Sequence, residues 1–182
     1  HDYMDNYEIG ILVGATILFS WLGKTWLNFG RFFIASLILS FISIYIYQGN
    51  LMQAENNFFL KYFLSSQSAI MWMSALFPLS LIIYWISLFS KQTFYENLAS
   101  ALVWIAALMG LLGLLVRWFE SYLISIDIGH IPISNLYEVF VLFCLITSLM
   151  YLYYEQKMNT KKMGPFVLII ISAAVAFLLW YT

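Results

Sequence analysis

The polar residues of this chain that could do chemistry gather between positions 117 and 138, where apolar runs flank them on both sides. The candidate site residues among them, whose side chains can pair with a charge or form hydrogen bonds, are Arg117, His130, Asn135 and Glu138. Asn135 and Glu138 are three residues apart, so they share one face of a helix that contains both. A carboxylate among apolar neighbours is costly and usually faces a partner or a polar cavity. We therefore expect Glu138 to meet Arg117.

Two interpretations of these four residues stay open. In the first, Arg117 and Glu138 form a structural clamp that Asn135 caps, since buried ion pairs often fix register rather than do chemistry. In the second, they line the mouth of an external pocket for an anionic ligand, with Arg117 facing a carboxylate and His130 near by. Residue types alone favour the clamp. For His130 we expect a supporting or lining role, or a hydrogen bond to its own loop, and not ligation of a metal.

Composition defines the class of protein that holds this stretch. Hydrophobic residues make up 63% of the 182 positions and charged residues 9%, against about 25% charged residues in ordinary soluble domains. So few charges cannot cover a water-soluble fold, and a lipid bilayer is the expected surrounding. The net charge of −1 gives no indication of a nucleic-acid partner. The lone Cys144 excludes an internal disulfide and is expected to be a core residue.

Hydropathy predicts an all-α, polytopic membrane helix bundle, a single domain over residues 1–182. Arg117 would close the fourth span at the membrane interface, and residues 155–162 would form a basic loop. Residues 48–68 are predicted to form an amphipathic helix in the interface, with a plain surface loop as the alternative. Because the chain starts at His1 and stops directly after a span, we expect it to be the N-terminal part of a longer protein. The six predicted spans are 9–23, 32–47, 69–89, 98–116, 135–154 and 165–181.

Small residues within the spans indicate how the helices could pack. Gly10 and Gly14 have the spacing that lets two helix backbones approach closely in lipid, although a chance pair is an equal alternative. Ala106, Gly110 and Gly113 form a second strip of this kind in the fourth span. Pro78 inside the third span predicts a kink.

The distribution of basic residues predicts the orientation. Six of the eight fall in the first, third and fifth connections, which the positive-inside rule assigns to the cytoplasm. Both ends of the chain and residues 117–135 then face the outer side of the membrane, and the acidic start with Asp2 and Asp5 agrees. The six basic residues are Lys24, Arg31, Lys91, Lys157, Lys161 and Lys162.

Residues 117–143 have the sequence RWFESYLISIDIGHIPISNLYEVFVLF, a long ungapped pattern. It resembles the signature of the Ccs-type (system II) cytochrome c biogenesis proteins, the membrane subunits that handle haem. Residues 59–77, FLKYFLSSQSAIMWMSALF, and residues 166–182, FVLIIISAAVAFLLWYT, also resemble the proteobacterial branch of that family. The resemblance covers most of the chain from about Phe58 onward and is weak over the first two spans.

The resemblance implies a subunit of the bacterial inner membrane that carries haem to the outer face. There a partner biogenesis subunit with a periplasmic domain would present apocytochrome c for covalent attachment of haem. The complete complex acts as a cytochrome c synthase, but the tryptophan-rich segment and the haem-ligating histidines of the family belong beyond Thr182. Arg117, His130, Asn135 and Glu138 would then line or support an external haem site. The alternative function is a structural, ion-contacting or quinone-contacting membrane subunit of a respiratory or transport complex.

Overall fold

The chain folds entirely into helices and turns in the part that a computed structural model describes, residues 6–90, 92–125 and 129–181. No strand occurs in those ranges, so the all-α prediction is confirmed. A π-helical turn, Leu60–Leu64, lies between α3 and α4. The helices are α1 Asn6–Thr25, α2 Leu27–Tyr47, α3 Gln53–Asn56, α4 Ser66–Ser90, α5 Thr93–Ile124, α6 Leu136–Met158 and α7 Gly164–Tyr181.

Six of these helices are apolar, and four of the six are long and apolar enough to cross a membrane: α2, α4, α5 and α6. A span needs about 20 residues. The apolar parts of α1 and α7, Ile9–Thr25 and Gly164–Trp180, are shorter. The prediction of a membrane-type bundle is therefore confirmed. Two boundaries were wrong: α5 extends well beyond the predicted 98–116, and α6 continues to Met158, so that Glu155 lies in a helix and not in the basic loop.

The segment 48–65 is not the single amphipathic helix that its periodicity predicts. After α2 the chain turns through Gln48 and Gly49, which have φ angles of 48° and 72°. The one-turn α3 then ends at Asn56, because the side-chain oxygen of Asn57 accepts the backbone N–H of Phe59 at 3.0 Å. Asparagine side chains compete in this way with helical hydrogen bonds. The segment therefore folds as two short helical pieces.

Small residues let α4 and α5 approach closely along the centre of the bundle. A Cβ atom on Gly113 would lie 2.6 Å from Cγ1 of Ile70, and one on Gly110 would lie 2.8 Å from Sδ of Met73. The small-residue strip predicted in the fourth span is thus a packing surface, and α4 runs unbroken through Pro78. Cys144 is fully buried in the core, as expected.

Of the two alternatives for Gly10 and Gly14, the described structure shows no close approach within this chain, since a Cβ atom at either position meets nothing within 4 Å. The close contact between α1 and α2 lies instead at their connecting turn. There a Cβ atom on Gly23 would be 3.2 Å from Cα of Gly30. The glycine spacing along α1 is therefore not used for packing within this chain.

Because consecutive long helices run antiparallel, the connections between them lie at two opposite ends of the bundle. Segments 48–65 and 129–135 lie at one end, which we call the upper end. Trp26, Gln92 and residues 159–163 lie at the other, the lower end. Side-chain hydrogen bonds from Trp26 to Gln156 and from Lys161 to Asn97 join the lower connections. Each end is thus closed by contacts of its own.

We expect Gly113→Val to destabilise the bundle, because the new side chain must displace Ile70 and the backbone carbonyl of Ser66. Overpacking of this kind costs about 1–3 kcal/mol. The matched control is Gly14→Val, which adds the same side chain where nothing lies within 4 Å. Denaturant unfolding of both variants in detergent micelles measures the difference. Equal losses in the two variants would contradict the packing role of Gly113.

Candidate functional site

Arg117 extends from the side of α5 and not from its end. The helix itself does not end at Arg117, where the sequence predicts the end of the fourth span, since α5 continues for about two more turns to Ile124. The extra turns bring Glu120 and Ser121 onto the same helix as Arg117. The polar stretch therefore begins inside a helix, and only its second half forms a connection.

Arg117 and Glu138 form the expected contact between α5 and α6. The Nε of Arg117 donates to Oε1 of Glu138 at 2.7 Å. The side chain of Glu138 is 1% exposed, whereas that of Arg117 is 37% exposed. A buried carboxylate is thus neutralised by a cation that still reaches the surface of the bundle.

Local hydrogen bonds fix Glu138 at the start of α6. The side chain of Asn135 accepts the backbone N–H of Glu138 at 2.9 Å, which caps the helix. The second oxygen of Glu138 accepts the backbone N–H of Ser134 at 3.0 Å. A carboxylate in the first turn also interacts favourably with the helix macrodipole. Asn135 therefore positions Glu138 and is itself exposed to solvent.

His130 lies beside this pair and is held by its own backbone. Its Nε2 is 3.8 Å from Oε1 of Glu138, and its backbone N–H donates to Oγ of Ser121 at 3.3 Å. Next to it, a Cβ atom on Gly129 would lie 2.2 Å from the ring of Tyr122, so only glycine fits there. The loop thus packs directly on α5. Asp127, which belongs to the same polar stretch, lies outside the described residues.

A cavity of about 830 Å³ opens at the upper end, next to the Arg117–Glu138 pair. The end of α2, the residues from 51 to 68, α5 and α6 form its walls. Its charged lining residues are Glu55, Lys61, Arg117 and Glu120, and Tyr137 adds an aromatic ring. Binding sites for small molecules have volumes of about 300–1,000 Å³. The cavity is therefore large enough for a ligand of cofactor size.

Glu120 is a wall residue whose role the sequence did not predict. Its Oε1 accepts the hydroxyl of Tyr47 at 2.5 Å and the backbone N–H of Ser66 at 3.1 Å. Its Oε2 accepts the hydroxyl of Ser66 at 2.5 Å. Glu120 thus caps the first residue of α4 and ties α2, α4 and α5 together. The only signal in the sequence was its spacing of three residues from Arg117, which places both on one face of α5.

Arg117 keeps donors available for the cavity. A guanidinium group carries five N–H donors, and Glu138 takes the one on Nε. Its Cζ lies 5.5 Å from the centre of the Tyr137 ring. Among the described residues, no hydrogen bond occupies the two terminal amino groups. Of the four predicted residues, Arg117 therefore lines the cavity. Glu138 and Asn135 hold the Arg117 side chain in place, and His130 lies beside this pair.

The described residues contain no group of three or more His, Cys, Asp or Glu side chains that could hold a metal ion. The fold and this cavity define an all-α, membrane-type bundle with a charged cavity at one end. Searches among protein-family models, curated proteins and solved structures find no match for this chain.

A double-mutant cycle tests the electrostatic coupling of Arg117 and Glu138. We expect Arg117→Met to cost about 3 kcal/mol, because it leaves Glu138 buried without a cation. Glu138→Gln should cost less, about 1–2 kcal/mol, since Arg117 is partly exposed and can be hydrated. The double variant should be less destabilised than the sum of the two by at least about 1 kcal/mol. Free energies of unfolding in detergent measure the cycle. Strictly additive losses would contradict the coupling.

Proposed function

We propose that this chain is a membrane subunit of the system II cytochrome c maturation machinery in the bacterial inner membrane. In this role it takes part in transporting haem and presenting it at the outer face for covalent attachment to apocytochrome c. Its partners would be a biogenesis subunit with a periplasmic domain and the apocytochrome itself. Resemblance of residues 117–143 to the Ccs-type signature motivates the proposal, and the charged cavity formed next to that stretch supports it.

The cavity supports haem as the cargo because of its volume and its two cations. Haem is a flat, largely apolar plate with two propionate carboxylates on one edge. Arg117 offers its terminal amino groups, and Lys61, whose side chain is exposed, lines the same cavity. Charge-assisted hydrogen bonds from arginine to a carboxylate are among the strongest in proteins. Arg117 and Lys61 would therefore hold the propionate edge.

The two carboxylates of the lining do not cancel this attraction. Glu120 already accepts three hydrogen bonds from Tyr47 and Ser66, so its charge is satisfied by the wall. Glu55 lies on the exposed face of α3. The terminal amino groups of Arg117 are the donors left for a ligand. The cavity therefore has a charge distribution that suits a carboxylate on Arg117 better than a cation.

The described residues fit the propionate edge of haem but supply no pair of iron ligands. His130 is the only histidine among them, and it sits next to Glu138 at the margin of the site. In the proposed role this chain binds the porphyrin by its edge, and the iron ligands come from another part of the machinery. This division agrees with the resemblance, because the haem-ligating histidines of that family lie outside the segments that this chain resembles.

The proposed orientation follows from the two ends of the bundle. Five basic residues lie at or near the lower end, namely Lys24, Arg31, Lys157, Lys161 and Lys162, and Lys91 lies outside the described residues. The upper end has Lys61 and Arg117. The positive-inside rule then directs the lower end to the cytoplasm and the cavity to the periplasm, where c-type cytochromes mature.

Haem binding to the purified protein tests the proposal. We expect the wild type to bind haem with a Soret band, and Lys61→Gln and Arg117→Gln each to weaken binding about tenfold or more. The reason is that a hydrogen bond to a charged group contributes about 1.5–3 kcal/mol. Absorbance titration of folded protein in micelles gives the affinities.

The controls are Lys157→Gln and Arg31→Gln at the lower end, which remove the same charges away from the cavity. Lys157 matches Lys61 closely, since each ammonium lies over a tyrosine ring, at 5.5 Å and 5.8 Å respectively. Covalently bound haem in c-type cytochromes of the host cell provides the second measurement. Normal cytochrome c levels in an Arg117→Gln/Lys61→Gln strain, together with no Soret band in the purified protein, would overturn the proposal and favour the ion- or quinone-contacting alternative.

A further inference from the structure

A groove lined by apolar and aromatic side chains lies at the lower end of the bundle, between α1 and α6. Its volume is about 590 Å³. Phe19 and Leu22 of α1 form one wall, and Ile146 and Tyr153 of α6 belong to the other. Ile146 and Tyr153 are seven residues apart, which is about 10 Å along the axis of α6. The groove therefore runs parallel to the helices, from the lower end towards the middle of the bundle.

Aromatic rings form the floor of this groove, and its outer margin is open. Trp26 and Phe29 stack with ring centres 5.4 Å apart, and Trp26 meets the ring of Tyr153 edge-on at 5.3 Å. Phe29 is 3% exposed, whereas Trp21 and Met150 at the margin are 61% and 68% exposed. The groove thus opens sideways to the surroundings of the bundle, which for a membrane-type bundle are lipid chains.

An acyl chain is the natural occupant of a groove with this direction and lining. Lipid tails are as apolar as leucine side chains, and they run roughly along the helices. A groove left empty would lose the van der Waals contacts of its lining atoms. Contacts between apolar groups do not distinguish one phospholipid from another, however. Selectivity for a lipid must therefore come from polar groups at the mouth of the groove.

An ammonium group and an amide group lie at this mouth. Nζ of Lys157 donates to the hydroxyl of Tyr153 at 3.3 Å and lies 5.5 Å from the centre of its ring. The side-chain oxygen of Gln156 accepts the indole N–H of Trp26. Tyrosine and tryptophan side chains at membrane interfaces lie at the level of the lipid headgroups. Lys157 and Gln156 are therefore placed where a phosphate group would be.

The charge of Lys157 is not neutralised by the protein. Among the described residues it forms no salt bridge, and no Asp or Glu lines the groove. Glu155, the nearest acid in sequence, is 6% exposed and accepts hydrogen bonds from three hydroxyl groups inside the bundle. A lysine ammonium has three donors, of which Tyr153 takes one. The mouth is thus positively charged and keeps donors for an anion.

A second apolar groove provides an internal comparison. It has a volume of about 450 Å³ and lies between α1, α2 and α5, near the upper end. Trp118 and Tyr122 give it aromatic walls as well, but no Lys, Arg, Asp or Glu lines it. This upper groove has room for an acyl chain and offers no cation to the headgroup. Of the two grooves, only the lower one combines apolar walls with a neighbouring unpaired ammonium group.

We propose that the groove between α1 and α6 binds an anionic phospholipid. One acyl chain lies against Trp26 and Phe29, and Lys157 and the amide of Gln156 bind the phosphate. Basic pockets between membrane helices recognise anionic headgroups in this way. In the proposed orientation this lipid belongs to the cytoplasmic leaflet, which is rich in anionic lipids. The site shares no residue with the charged cavity at the upper end and does not depend on the haem proposal.

Native mass spectrometry of the protein in micelles with equal amounts of phosphatidylglycerol and phosphatidylcholine tests the site. We expect the wild type to retain phosphatidylglycerol in preference. Lys157→Gln should weaken its binding about fivefold, the effect of one lysine facing an anionic lipid surface. The matched control is Lys162→Gln, which removes the same charge at the lower end from a residue without a hydrogen bond to the groove among those described. Equal retention of both lipids by the wild type, or equal losses in the two variants, would overturn the proposal.

A second pair of variants tests whether the acyl chain occupies this groove. Ile146→Trp places an indole in the lower groove, and Ile44→Trp makes the same change in the upper one. We expect Ile146→Trp to lose phosphatidylglycerol and Ile44→Trp to retain it, with melting temperatures verifying the fold of both. Retention at the wild-type level in folded Ile146→Trp would contradict the proposal. Lys157 is exposed, so Lys157→Gln provides the test if the indole disturbs folding, and its haem binding should equal that of the wild type.

Discussion

The contact between Arg117 and Glu138 is the interaction on which the upper end of this bundle depends. The side chain of Glu138 is 1% exposed, and a buried carboxylate that loses its cation costs the fold about 3 kcal/mol or more. The pair therefore fixes the rotation of α5 relative to α6. Because Arg117 uses only Nε for this contact, its terminal amino groups are held at the wall of the cavity. The structural clamp and the proposed anion-binding group would thus be two uses of one side chain, and the two interpretations that residue types left open are compatible.

Buried carboxylates must find donors outside their own helix, whereas some buried serine hydroxyls are satisfied within theirs. Ser36 and Ser40 donate to carbonyls four residues earlier in their own helix, so their burial requires no neighbour. Glu120 and Glu138 cannot be satisfied in this way and must find donors on other helices. Glu120 does so at the ends of α2 and α4. In a chain with 9% charged residues, a few carboxylates therefore decide which helix ends come together.

The sequence predicts the helices well and the side-chain partners poorly, for a physical reason. The hydropathy signal of a membrane-spanning helix extends over about 20 consecutive residues. The six apolar helices and the packing at Gly110 and Gly113 could therefore be inferred from neighbouring residues alone. The Arg117–Glu138 contact was predictable because both residues flank one short connection. Glu155 was assigned to a basic loop because its partner Tyr84 is 71 residues away, and Glu120 lies 73 residues from Tyr47. Local pattern carries no information on such distant pairs.

The two ends of α6 show how one helix satisfies two buried carboxyl groups in different ways. Glu138 and Glu155 are seventeen residues apart, which corresponds to about 25 Å along the helix axis. At the N-terminal end, an asparagine cap, the macrodipole and Arg117 all stabilise a negative charge. At the C-terminal end, the macrodipole opposes that charge and only hydroxyl groups surround the carboxyl. Helix α6 is therefore held at its upper end by an ion pair that leaves the terminal amino groups of Arg117 facing the cavity, and at its lower end by hydroxyl groups that join α4, α5 and α6.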